Sequence, residues 1–167
     1  ATDTGNFSYS NTTPNTFRIM SELLETGFPL PEINRMLFRS TPLRKLKLQA
    51  RALDKLELYC GGRVAISALS LSDFSDCGAT AEDHEGVVDL LRDIDTVEAA
   101  AALRACEDGT VRVSLRGKRY ADVSRVAVAL HGGGHKLAAG CTICGSLEAA
   151  KSAVLAELRK LFPEEHV

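Results

Sequence analysis

The chain has 167 residues, 45% of them hydrophobic and 25% charged, and its formal net charge is −2. This balance fits one ordinary globular domain, or a small domain with part of another, and excludes a disordered chain. No run of about 18 apolar residues is present to form a spanning helix, and the polar start of the chain carries no signal-peptide core.

In chain order, the first predicted element is a helix in "TTPNTFRIMSELLETG". Thr13 suits the cap, Pro14 the first turn and Gly27 the stop, with Phe17, Met20, Leu23 and Leu24 on one face. Pro29 and Pro31 break the chain, and a short helix with Ile33, Met36 and Leu37 inward is expected after them. Thr41-Pro42 opens another helix, expected to run to about Tyr59 with Leu43, Leu46, Ala50 and Leu53 on one stripe. Its charged outer faces suit either a connector between two domains or one more packed helix.

From about Arg63 the pattern alternates strand and helix. "RVAISALSL" reads as a strand, and "EGVVDLLRDI" as a helix with Val87, Leu90, Leu91 and Ile94 at helical spacing. "VEAAAALRA" is ambiguous, because alanines favour helix while the length favours a buried strand. "TVRVSLRG" alternates, with Val111, Val113 and Leu115 on one side and Arg112, Ser114 and Arg116 on the other. Asp122 caps a helix carrying Val123, Val126, Ala127 and Leu130, which stops at His131 and the glycines. "AAGCTI" re-enters the sheet, and Ser146 caps a last helix with Leu147, Ala150, Val154, Leu158 and Leu161 inward.

Charge is distributed in blocks. Arg35 to Arg63 is basic, Asp73 to Asp108 is acidic with only Arg92 and Arg104 opposed, and Arg112 to Lys136 is basic with Asp122 its only acid. Solvated helix faces explain most such blocks. The last one leads straight into "HGGGHK", as a phosphate site would. The five cysteines, an odd number, read as reduced thiols of a cytoplasmic protein.

Gly132, Gly133 and Gly134 permit positive φ and remove the Cβ atoms that would keep a ligand from the backbone. Successive amides could then converge on an anion, more so if a helical turn follows, with His135 and Lys136 at the rim. The plain alternative is a helix stop and a turn. Arg116, at the end of a strand, could add two parallel hydrogen bonds to a phosphate. His131, His135, Cys141 and Cys144 are zinc-binding residue types, but on a strand the two cysteines point to opposite faces. "EDHEG" at Glu82 to Gly86 reads as a solvated helix start, and Asp3 in "TDTG" as a turn residue.

"GGGHKLAAG", "SLRGK", "EGVVDLLRDI" and "TDTGNFSYSNTTP" together resemble, over nearly the whole chain, the C-terminal portion of DHH-family phosphoesterases. These are nano-RNA oligoribonucleases that also dephosphorylate phosphoadenosine phosphate, with RecJ exonucleases as distant kin. The resemblance implies an α/β architecture in three parts. Residues 1–41 would be the helical tail of a truncated catalytic DHH domain, and 42–60 a long connector helix. Residues 61–167 would be a DHH-associated substrate-binding domain with a mixed β-sheet flanked by helices. Asp3 would match the last aspartate ligand of a manganese pair, the other ligands having no counterpart here. Arg116, Gly132, Gly133, Gly134, His135 and Lys136 would hold the phosphate and terminal nucleotide. Two departures from the family pattern, Gly117 for a serine and His131 for a fourth glycine, remove no charge.

The resemblance further implies a manganese-dependent or other divalent-metal-dependent parent enzyme acting on short RNA or DNA oligonucleotides or phosphoadenosine phosphate, with dimerisation through the DHH part possible. This chain, opening on an aspartate-bearing turn, is expected to be a fragment of it. It would bind nucleotide but, with Asp3 alone, hold no metal and hydrolyse nothing. The alternative is a free-standing nucleic-acid-binding or regulatory module without catalysis.

Overall fold

The computed structural model describes residue 7 and residues 11–163. The chain divides into two units, Ala1–Thr41 and Pro42–Val167. The first contains α1 (Pro14–Glu25) and α2 (Leu30–Phe38), and neither helix has a buried residue. Thr13 caps α1 in a reciprocal capping box with Thr16. Met36 and Leu37, expected to face inward, are exposed, as are Phe17, Leu23 and Leu24. Two short helices cannot bury both of their apolar faces, so the stripes that the sequence predicts are present but uncovered within their unit.

The second unit contains α3 (Leu43–Asp54), β1 (Glu57–Tyr59), β2 (Val64–Leu69), α4 (Leu71–Cys77), a 3-10 turn (Ala81–His84), α5 (Val87–Arg92), β3 (Ala99–Ala105), β4 (Thr110–Gly117), α6 (Val123–Ala129), β5 (Gly133–His135), β6 (Ala138–Cys144) and α7 (Leu147–Arg159). The strands form one sheet in the order β1-β2-β3-β4-β6-β5, in which β2 and β3 are parallel and every other pair antiparallel. The parallel pair follows from the crossover through α4, the 3-10 turn and α5.

Strand β3 settles the ambiguous alanine run. Ala99 to Ala102 are fully buried, and small side chains there let helices approach both faces of the sheet, so tertiary packing overrides the helix propensity of alanine. One face carries Val64, Ile66, Leu103, Val113 and Leu115 against α6 and α7. The other carries Ala65, Leu69, Ala100 and Ala102 against α3, α4 and α5. Val126 and Ala127 of α6, and Ala150, Val154 and Leu158 of α7, are buried as their spacing predicts.

Three expectations are corrected. The helix from Pro42 ends at Asp54, and Glu57–Tyr59 forms an edge strand paired to β2. Its inward residues are Leu48 and Ala52, while the predicted stripe of Leu43, Leu46 and Leu53 is exposed. The helix has two apolar stripes, and hydrophobic periodicity alone cannot choose between them. Finally, β2 stops at Leu69 because Ser70 caps α4: its hydroxyl accepts from the Asp73 amide and the Asp73 carboxylate accepts from the Ser70 amide.

Three basic residues of the first charge block pair with acids of the second. Arg44 of α3 pairs with Asp83 at 2.9 Å, while Arg51 and Lys55 reach Asp73 at 3.0 and 2.5 Å. Burial works to raise the Asp73 carboxyl, but hydrogen bonds from Lys55 and Ser70 outweigh it and hold the group at about 2. These basic residues thus dock a helix onto the domain.

Candidate functional site

The α6 helix closes in a Schellman motif. The His131 amide donates to Val128 O and the Gly132 amide to Ala127 O, at 3.1 and 2.7 Å, with His131 in the left-handed region at φ 60°. Glycine is the usual residue at such a position, which accounts physically for the glycine pattern from which His131 departs. Gly133 to His135 then form β5, the sheet edge beyond β6.

The predicted amide cradle is therefore corrected in form. No helical turn follows the glycines, and the Gly132 amide is taken by Ala127. What the edge strand offers instead is one outward row of main-chain groups that the sheet leaves unpaired.

The three glycines have different reasons to be glycine. A Cβ on Gly132 would lie 2.5 Å from Cys141 Cβ, and one on Gly134, at φ 140°, 2.5 Å from Ala139 Cα. Both are required by close packing on β6. A Cβ on Gly133 would meet nothing within 4 Å. Gly117, just after Arg116, has no room for a side chain because a Cβ would run into the Ala121 carbonyl.

Register places the candidate residues on one face. Arg116 pairs with Ala138 and Ala138 with His135; Ser114 pairs with Gly140 and Gly140 with Gly133; Arg112 pairs with Thr142. Directly opposite residues point the same way, so Arg116 and His135 stand two strands, about 10 Å, apart on the face that carries α5. That helix packs on β3 and β4. Beyond it Arg112, Ala138, Thr142, Gly133 and His135 are exposed, and Ser114, Arg116 and Gly140 partly so. The result is a bare corner of sheet with a flat floor of Gly133, Gly140 and Ala138 and polar side chains around it.

Arg116 is held in place from α5. Its Nε donates to Asp89 Oδ1 at 3.2 Å and its Nη1 to Leu115 O at 3.2 Å, while Arg92 Nη1 donates to the same Asp89 oxygen at 2.8 Å. Among the described residues Nη2 of Arg116 has no partner. The role of Asp89 was not legible in the sequence: its spacing from Arg92 marks a helix pair, but nothing local points 27 residues ahead to Arg116. Lys136 lies in the turn between β5 and β6, where its carbonyl accepts from the Val123 amide at the start of α6 at 2.9 Å and its charge helps lower the Asp122 carboxyl after the dominant hydrogen bond from Ser124.

The zinc-type residues do not converge. Cys141 is buried and Cys144 exposed, and burial pushes the Cys141 thiol up. Among the described residues no three His, Cys, Asp or Glu side chains are grouped to hold a metal ion. The described residues therefore do not fit the divalent-metal centre that the resemblance implies, and Asp3 lies outside the described residues. Among the same residues no helix is long and apolar enough to cross a membrane.

One mixed sheet, covered by helices on both sides except at this polar corner, defines a single-sheet α/β domain. The model of the DHHA1 domain family matches residues 61–163. The chain belongs to this family.

Its relatives include the bifunctional oligoribonuclease and PAP phosphatase NrnA of Thermus thermophilus, 36% identical over 161 residues, covering 95% of this chain and 47% of that protein. The protein of the same description from Bacillus subtilis is 30% identical over 162 residues, covering 97% and 50%. The crystal structure of an exopolyphosphatase-related protein from Bacteroides fragilis superposes with a TM-score of 0.90 at 28% identity, covering 97% of this chain and 48% of that one. The chain thus spans about half the length of the curated relatives it matches.

Proposed function

We propose that this chain holds the phosphate end of short oligoribonucleotides or of phosphoadenosine phosphate, and that the bare corner of the sheet is where it does so. The carrying observation is Gly133. Of three consecutive glycines it alone has no packing reason to lack a side chain, and it shares a face with Arg116 and His135. A phosphate on this floor would meet the Arg116 guanidinium, the edge groups of β5, and the Ser114 and Thr142 hydroxyls. The activities for which the Thermus and Bacillus relatives are named support the substrate class.

The hydrolytic step is assigned to another part of the whole protein. Activating water against phosphorus with a divalent metal takes several carboxylate or imidazole ligands at one point. In this proposal the manganese or other divalent ion would be held there, with Asp3 as one contributor, and the unit Ala1–Thr41 would complete its core against that part. The absence of any buried residue in α1 and α2 supports that assignment.

The Arg116→Ala variant tests this reading. Losing a charge-assisted hydrogen bond is expected to weaken binding of a short oligoribonucleotide by roughly 1.5–3 kcal/mol in calorimetry. An unchanged affinity would remove Arg116 from the site. A free-standing nucleic-acid-binding module would instead bind long RNA in preference to short strands, with a steep salt dependence.

A further inference from the structure

A second feature of the same face belongs to none of the roles assigned above. Arg104 of β3 and Arg112 of β4 are directly opposite in the register, so two guanidinium-bearing side chains leave the sheet side by side. Like charges at such a cross-strand pair are destabilising. Among the described residues neither forms an ion pair within 4.0 Å; the Arg104 guanidinium has only a hydrogen bond from Nη1 to Cys106 Sγ at 3.6 Å.

Both line a cavity of about 870 Å³ whose far wall is α4 and the segment after it, with Ser72, Phe74, Ser75 and Thr80. Behind Phe74 lies His84, 7% exposed, its ring 6.1 Å from the Phe74 ring and its Nε2 without a hydrogen-bond partner among the described residues. Two acids, Glu107 and Asp108, also border the cavity on the β3–β4 turn. Asp108 accepts from the Thr110 amide and hydroxyl at 3.0 and 2.6 Å, and these bonds, with a smaller contribution from the Arg112 charge, hold its carboxyl below the ordinary value. Their charges disfavour a polyanion filling the whole cavity and leave room for one anionic group on the arginine floor.

We propose that Arg104 and Arg112 form a second anion site, which takes a single phosphate group between the two guanidiniums, with the serine and threonine hydroxyls of the opposite wall as further donors. Planar guanidiniums and hydroxyls are the donor set that phosphate oxygens use best. Arg112 lies four residues from Arg116 on one strand, about 14 Å along the same face. The phosphate could therefore belong to the strand whose end lies at Gly133, in which case this inference deepens the proposed function and rests on it. It could equally belong to a free nucleotide bound on its own account.

The experiment separates these sources and keeps the two proposals apart. Inorganic phosphate is titrated first, following the arginine Nε–H resonances. Those of Arg104 and Arg112 are expected to shift saturably, and a lack of any shift there overturns the proposal whatever Arg116 does. Calorimetry then compares the parent chain with Arg104→Gln/Arg112→Gln, using adenosine monophosphate and a single-stranded pentaribonucleotide. If the phosphate comes from the strand, the variant loses about tenfold in pentamer affinity and nothing for the mononucleotide. If it comes from a free nucleotide, the parent binds two mononucleotides and the variant one. Unaltered affinity and stoichiometry for both ligands would overturn the site. Arg116→Ala, run in parallel, reports on the Gly133 corner alone.

Discussion

Gly133→Val is expected to cost roughly a hundredfold in affinity for a short oligoribonucleotide, about 2.7 kcal/mol, with little change in melting temperature. An added Cβ meets no atom within 4 Å beyond its chain neighbours, and an edge strand accepts a β-branched residue readily. Its methyls would instead stand over Gly140, its cross-strand neighbour, and raise the floor beside Arg116. Gly134→Val supplies the contrast. That residue sits at φ 140°, and its Cβ would fall 2.5 Å from Ala139 Cα, so the cost there is to the fold, of order 1–3 kcal/mol or more. Binding calorimetry and thermal melting on both variants separate the two effects. A Gly133→Val chain that binds like its parent would mean that the open space at this glycine is used by nothing.

The second large effect is on stability against pH. Burial, with a smaller contribution from the Arg104 charge, holds the His84 imidazole down to about 4, against an ordinary 6.5. The folded state thus takes up a proton less readily than the unfolded chain. Between pH 6.5 and about 4 the unfolded state binds more protons, and stability falls as pH falls. Full passage through that window is expected to cost about 3 kcal/mol. Asp73 adds a separate loss lower down, between its ordinary 3.8 and about 2, as its carboxylate is protonated away from Lys55 and Arg51. Urea unfolding at pH 7.0 and 4.5 measures the first window. His84→Leu, which has no proton to gain, is expected to flatten it. A slope that persists in His84→Leu would place the titrating group elsewhere.

Much of the second unit was legible in the sequence because its elements have one apolar face. Val111, Val113 and Leu115 alternate, and Val126, Ala127, Val154 and Leu158 keep helical spacing, so periodicity and burial agree. Periodicity misled where an element has two such faces, as in α3, whose stripe of Leu43, Leu46 and Leu53 is the exposed one. It was also silent on long-range partners. The tie from Asp89 to Arg116 and the juxtaposition of Arg104 with Arg112 come from register, which the sheet alone determines.

The glycine run shows the same division. Its position after α6 was readable from composition. Its conformation was not, since a glycine triplet suits a phosphate loop and an edge strand equally. Only the packing of Gly132 and Gly134 against β6 distinguishes structural glycines from the one that leaves a space.

In the proposed function a nucleotide phosphate lies on the bare corner bounded by Gly133, Gly140 and Arg116. Titration of the isotopically labelled chain with a triribonucleotide, read from its amide and arginine side-chain resonances, tests this most directly. Saturable shifts are expected at Gly133, Gly140 and the Arg116 guanidinium, with α7 unmoved. Saturation with those three groups unshifted, or with the shifts gathered on the α6 and α7 side of the sheet, would contradict it.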